Sequence, residues 1–272
     1  MTQAQHNLDE PLISIVTSLE AECGGRLCFA FEEIGSGKRL LYRGDETCKT
    51  ASIIKLPMLV HVAMSVHKGE LSWEQPLVLT DSEKVGGSGV LSHMTEGLTL
   101  PLRDACVLMT IVSDNTATNM VIEAVGPAPI NARIRSLGMQ VTQLFRKAYS
   151  PDTPESAVFG LGVTTANEMC DLVIRLSQEA SAGSNAASEV LDILAKQVYR
   201  DCIPRSLPSG WRYAGKTGSL DQVRNDVAHI TSPDGRKFAL AVFCQELPIV
   251  DWSPDNAGTL AIANLARALL IE

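Results

Sequence analysis

The sequence predicts an α+β fold in which an antiparallel sheet is formed by both chain ends, covered by N- and C-terminal helices, with an all-helical lobe inserted between. Three observations carry that prediction. Segments with strand character, bounded by turn residues, fall near the two ends of the chain. Apolar residues recurring every three or four positions dominate the middle. An amphipathic helical pattern stands at each end, placed to cover one face of such a sheet.

In chain order, Leu12, Ile13, Ile15, Val16 and Leu19 place a helix over residues 11–22. Arg26–Ile34 reads as a strand, Gly35-Ser36-Gly37 as a turn and Lys38–Arg43 as the returning strand. A helix is expected over Ser52–His67, because Pro57 is tolerated only near a first turn. Further helices are expected over Leu102–Val112, Thr116–Val125, Ile130–Leu137, Thr165–Ser177 and Ser188–Gln197. Strands return at Trp211–Lys216, Val223–Thr231 and Arg236–Gln245, the last two joined by the tight-turn signal Ser232-Pro233-Asp234-Gly235. A closing helix spans Asn256–Ile271. No linker, repeat or low-complexity stretch divides the 272 residues, so a single domain over 1–272 is expected. Its sheet lobe would comprise about residues 10–50 and 200–272, and its helical lobe about 51–199.

Composition narrows the function classes. The chain is 45% hydrophobic and 20% charged, as in globular proteins with a large core. Its net charge of −8 argues against nucleic acid or an anionic membrane as partner. Seven cysteines without a C-x-x-C pair read as buried thiols of a reducing compartment. The five histidines have no ligand spacing, so neither a metal nor another cofactor is expected. Met1–Pro11 is polar and acidic and does not resemble a secretory leader. The expectation is a cytoplasmic protein, or a periplasmic one if a leader has been removed. No apolar run reaches membrane-spanning length.

Chemistry concentrates in three motifs: Ser52-Ile53-Ile54-Lys55, Ser113-Asp114-Asn115 and Lys216-Thr217-Gly218. Residues three apart share a helix face, so Lys55 lies one turn beneath Ser52. A serine hydroxyl needs a base to become a nucleophile, and an amine serves only when partly neutral. A helix N-terminus, apolar neighbours and a second cation at Lys216 would each lower the Lys55 pKa. Taken singly the motifs are ordinary. Ser65 and Lys68 form a second Ser-x-x-Lys that reads as a helix end with a solvated cation.

The order of the three, with 61 residues from Ser52 to Ser113 and 103 from Ser113 to Lys216, resembles the class A β-lactamases and their penicillin-binding relatives. The resemblance runs from about residue 10 to the end and implies a β-lactamase/transpeptidase-like fold. It implies Ser52 as nucleophile, Lys55 as base, Ser113 as proton shuttle and Lys216 as the cation that tunes Ser113. Asn115 would hold Lys55 and the substrate amide, while Asp114 braces the loop. Thr217 and Arg224 would bind a substrate carboxylate, and the backbone N–H groups of Ser52 and Ser219 would form the oxyanion hole. The Val85–Val90 segment looks like the family's loop on the cleft rim.

One family feature is missing. The stretch Gln143–Asp152 holds no Glu-x-x-Leu-Asn, and the position of the deacylating glutamate falls on Ala148. Asp152 and Glu155 lack the family's spacing. The expected function is therefore a serine hydrolase that acts on a β-lactam or related carboxylate-bearing amide through a Ser52 acyl-enzyme, with slow release of penicillins. Its alternatives are a cytosolic non-lactam amidase or acyltransferase, a penicillin-binding D,D-peptidase-like protein, and a non-catalytic binding module that retains the fold.

Overall fold

A computed structural model describes residues 8–271. In chain order the elements are α1 (Glu10–Cys23), β1 (Arg26–Glu33), β2 (Lys38–Tyr42), β3 (Cys48–Lys49), α2 (Lys55–His67), β4 (Pro76–Val78) and β5 (Thr99–Pro101). Then follow α3 (Leu102–Ile111), α4 (Asn115–Val125), α5 (Pro127–Ser136), β6 (Gln143–Leu144), α6 (Pro154–Phe159), β7 (Gly162–Thr164), α7 (Ala166–Ser181) and α8 (Asn185–Leu194). The chain closes with β8 (Arg212–Leu220), β9 (Val223–Thr231), β10 (Lys237–Gln245) and α9 (Ala257–Leu270).

Five strands form an antiparallel sheet in the order β2-β1-β10-β9-β8, so the two chain ends meet where β1 pairs with β10. Side-chain alternation divides the sheet into two faces. Leu27, Phe29 and Phe31 of β1 join Leu240 and Val242 of β10 on one face, under Leu12, Val16 and Leu19 of α1 and Ile262, Leu265 and Ala266 of α9. Burying each such large side chain contributes roughly 1.5–3 kcal/mol. On the opposite face stand small residues, Cys28, Ala30, Ala239 and Ala241, which belong to the core of the helical lobe. The large-against-small contrast lets α7 lie close on the sheet. Its Cys170 Sγ reaches the Ala239 carbonyl at 3.8 Å.

The fold is thus the expected α+β sandwich with its helical insertion, and most expected elements lie within a few residues of their places. Two differences bear on the motifs. The helix expected from Ser52 opens as a 3₁₀ turn over Ala51–Ile54, and α2 begins at Lys55. Pro57 has no N–H to give to the Ile53 carbonyl, so the segment ahead of it closes on i→i+3 bonds such as Ile53 N to Thr50 O at 3.0 Å. The strand expected to stop at Lys216 continues to Leu220, pairing Thr217 with Asp226 and Gly218 with Asn225. Lys-Thr-Gly is therefore the interior of a strand, not its end. α6 and the short pairings β3–β7, β6–β7 and β4–β5 were not expected, because two or three residues carry no readable period.

Of the polar Met1–Pro11 segment, residues 1–7 lie outside the described residues. No described helix is long and apolar enough to cross a membrane.

Candidate active site

Ser52 sits on a turn that three parts of the sheet region hold in place. Thr50 bonds through both its N–H and its hydroxyl to the Gly162 carbonyl of β7, at 3.0 and 2.9 Å. Asn225 of β9 donates from Nδ2 to the Lys49 and Thr50 carbonyls at 3.0 and 3.1 Å. Gln245 of β10 accepts from the Lys49 N–H at 3.1 Å and donates to Asn225 Oδ1 at 2.8 Å. Ala51, before the serine, has φ 46°, in the left-handed region. Gly218 completes the seat. A Cβ there would stand 2.9 Å from the Thr50 carbonyl and 3.1 Å from the Ile53 nitrogen, so only glycine lets β8 approach the turn so closely.

Lys55 is wholly buried. Its Nζ donates to the Ser113 carbonyl at 2.8 Å, to Ser113 Oγ at 3.2 Å and to Asn115 Oδ1 at 2.9 Å. It does not hydrogen-bond Ser52, whose half-buried hydroxyl is left facing the cleft. Catalytic hydrogen bonds of this kind often tighten only when substrate is bound. From the other side, Lys216 Nζ, also wholly buried, donates to Ser113 Oγ at 3.1 Å and to the Thr217 carbonyl at 2.8 Å. One hydroxyl oxygen therefore lies between two amines.

Ser113 is held there with φ 54°, and Asp114 behind it caps α4 by accepting from Ala117 N at 2.8 Å. The second Asp114 oxygen accepts from the Val90 and Leu91 N–H groups at 2.6 and 2.9 Å. A Cβ at Gly89 would overlap that carboxylate at 2.3 Å. Asn115 N donates to the Ser88 carbonyl at 3.0 Å and its Nδ2 to the Gly86 carbonyl at 3.0 Å, so the 85–90 loop is tied down onto Ser-Asp-Asn as one rim of the cleft.

Burial pushes Lys55 well below the ordinary amine pKa, and the like charge of Lys216 pushes it further, against a smaller opposing pull from Asp114. Burial also lowers Lys216 to about 7, partly offset by Asp226. Asp226 is itself buried in β9, and desolvation raises it to about 7 even though it accepts from Tyr213 Oη at 2.7 Å and Ile203 N at 3.1 Å.

Ser52, Ser113, Thr217, Ser219 and Arg224 line one cavity of about 360 Å³. The sequence-selected residues therefore converge. Arg224 is more confined than a surface hairpin charge. Three of its five N–H donors go to the Leu220, Val223 and Asp251 carbonyls, and its guanidinium lies 4.9 Å from the Trp252 ring centroid. Two donors are uncommitted. A second cavity of about 800 Å³ shares Ser52 and Ser219 and extends past Asn115, Ala148 and Tyr149. Ala148 is buried and its backbone is doubly held: its N–H donates to Asn119 Oδ1 at 2.8 Å and its carbonyl accepts from Asn119 Nδ2 at 3.1 Å. Asp152 is turned to Arg146 at 2.9 Å, and Glu155 accepts from Thr153 Oγ1 at 3.0 Å. Neither lines either of these two cavities, whereas Asp201 lines the first and Asp221 the second. No cluster of three metal-ligating side chains occurs among the described residues.

Sequence reasoning missed Asn119, Asn225, Gln245 and Asp226. For Gln245 the available signal was a polar side chain at the end of an otherwise apolar strand, which calls for buried partners; β9 mixes polar and apolar residues and singles out neither Asn225 nor Asp226.

Comparison with known proteins agrees with this geometry. The family model described as the β-lactamase enzyme family matches residues 11–271. β-Lactamase AER-1 of Aeromonas hydrophila is 28% identical over 236 residues, covering 85% of this chain and 77% of that protein. The β-lactamase from Sphaerobacter thermophilus superposes with a TM-score of 0.85 at 35% identity, over 97% of both chains. An ancestral class A β-lactamase superposes with a TM-score of 0.84 at 26% identity, over 95% of this chain and 98% of its own. With its motifs gathered in one cleft and its whole fold shared with these proteins, the chain belongs to the β-lactamase enzyme family and is a β-lactamase-like serine hydrolase.

Proposed function

We propose that the protein opens β-lactams, or related amides bearing a carboxylate, through an acyl-enzyme on Ser52, and that it releases penicilloyl groups slowly. The observation that carries this reading is the placement of Ser113 Oγ 3.2 Å from Lys55 Nζ and 3.1 Å from Lys216 Nζ, with both amines cut off from water. Neutral Lys55 takes the Ser52 proton as Oγ bonds the carbonyl carbon. The oxyanion that forms accepts from the backbone N–H groups of Ser52 and Ser219, each such donor worth ~3–4 kcal/mol in the transition state. As the C–N bond breaks, Ser113 gives its proton to the departing nitrogen and is resupplied from the Lys55 ammonium along the 3.2 Å contact. Lys216, Thr217 and the two uncommitted Arg224 donors hold the substrate carboxylate, and Asn115 holds its side-chain amide.

Water then has to cleave the ester. With alanine at position 148, no carboxylate stands where the family's glutamate activates that water. Loss of a general base costs about 10²–10⁴ in the step it serves. The same observation favours the second reading, an amidase or acyltransferase whose acyl group passes to an acceptor better than water.

The test is an intact-mass time course with benzylpenicillin, run beside Ser52→Ala. The expected result is a persistent adduct of the whole drug that is absent in the variant. Rapid steady-state turnover without an adduct would overturn slow release, and an adduct on the variant would overturn Ser52 as nucleophile.

A further inference from the structure

Tyr149 combines a left-handed backbone with an exposed aromatic ring. Its backbone has φ 60°, a left-handed conformation that strains a bulky residue, and its side chain is 66% exposed, so burial does not offset that strain. The segment around it keeps the conformation in place. Asn119 clamps both backbone groups of Ala148, Arg146 bonds the Ser150 carbonyl and pairs with Asp152, and Lys147 pairs with Glu123. Strain that is over-determined in this way and left in solvent points to use.

The phenol lies across the cleft mouth. On the opposite rim Gly87 has φ 81°, and a Cβ there would stand 2.7 Å from Tyr149 Oη and 2.7 Å from Asn115 Nδ2. The missing side chain at 87 is the space that the phenol takes. Tyr149 thus runs from the 145–153 loop to the 85–90 loop, in the wall of the cavity of about 800 Å³ that also holds Ser52 and Asn115. Leu161 and Leu220 line the same cavity and give it apolar surface.

We infer that Tyr149 is a specificity-determining residue: its ring is the platform on which the apolar or aromatic side group of the acyl half of the substrate rests as Ser52 attacks. The inference rests on the acyl-enzyme reading above and adds a substrate class, amides whose acyl side carries a flat or branched apolar group. A ring in this position contributes through its face, so phenylalanine serves and alanine does not.

The experiment compares second-order acylation constants for benzylpenicillin and for 6-aminopenicillanic acid, which has the same lactam and carboxylate but no acyl side group. Wild type, Tyr149→Ala, Tyr149→Gly and Tyr149→Phe are measured by intact mass, with melting temperatures recorded alongside. The ratio of the two constants is expected to fall about tenfold in Tyr149→Ala and Tyr149→Gly and to hold in Tyr149→Phe. Tyr149→Gly should also melt higher than Tyr149→Ala, because glycine relieves the left-handed backbone. A ratio unchanged in Tyr149→Ala, or two constants that fall in parallel, would overturn the platform and leave the acyl-enzyme reading intact. A wild type acylated by neither compound would overturn that reading, and the platform with it.

Discussion

Ser113 Oγ, lying between two buried amines, makes protonation the variable that decides what the site can do. Lys216 is lowered to about 7 by burial, while the unfolded chain keeps an ordinary lysine. Between pH 7 and 10 the unfolded state therefore holds a proton that the folded state has lost, and stability rises with pH. Lys216→Met should flatten that rise by up to about 1.4 kcal/mol per pH unit, read from urea unfolding at pH 7, 8 and 9. An unchanged slope would mean that Lys216 stays charged in the fold. Asp226, raised to about 7, acts in the other direction, with stability falling from pH 4 to 7, so the variant is compared with wild type only above 7. Ala148 lines the cavity that contains Ser52, and Ala148→Glu should shorten the lifetime of the penicilloyl adduct about 10²-fold. No shortening, with the fold intact, would place the missing base elsewhere. That Ser52, Lys55 and Ser113 belong together was legible in the sequence because their motifs are local and ordered. The Tyr149 conformation was not, since nothing in Ala-Tyr-Ser marks a left-handed residue.

At the level of elements, the Ser52 turn is positioned by the strands beside it more than by its own sequence. Gly218 lets β8 approach Thr50 and Ile53, both met through backbone atoms that cannot swing aside. Gly218→Ala should therefore displace the Ser52 turn and lower the acylation rate about 10²-fold, as small misplacements of reacting groups do, with only a modest fall in melting temperature. Equal losses in rate and stability would point to general unfolding instead. The helices and long strands were readable from their periods. The 3₁₀ opening of α2 follows from Pro57 once the turn is seen. The extension of β8 through Lys-Thr-Gly was hidden because a glycine within a strand reads as a break. The clamps were hidden for another reason: Asn225 and Gln245 lie 176 and 196 residues from Lys49, a separation no local pattern reports.

Across the whole molecule, the two apolar cores flank one sheet, and the site lies where the helical lobe meets that sheet's β8 side. The overall arrangement was legible because strands at both ends and helices between them leave few ways to bury both faces. All seven cysteines are buried, as their scatter through apolar segments suggested. The place of β8 at the end of the strand order has a further effect. The Ser52 turn and α8 of the helical lobe pack beside it, while Thr217–Leu220 line the cleft. An edge strand with unpaired backbone groups is a template for another chain. If heating loosens the helical lobe before the sheet melts, nine residues of open strand become available to a neighbouring molecule. Unfolding should then end in self-association. The apparent melting temperature should climb with scan rate, and light scattering should rise with protein concentration. A fully reversible, rate-independent transition would mean that the two lobes come apart together.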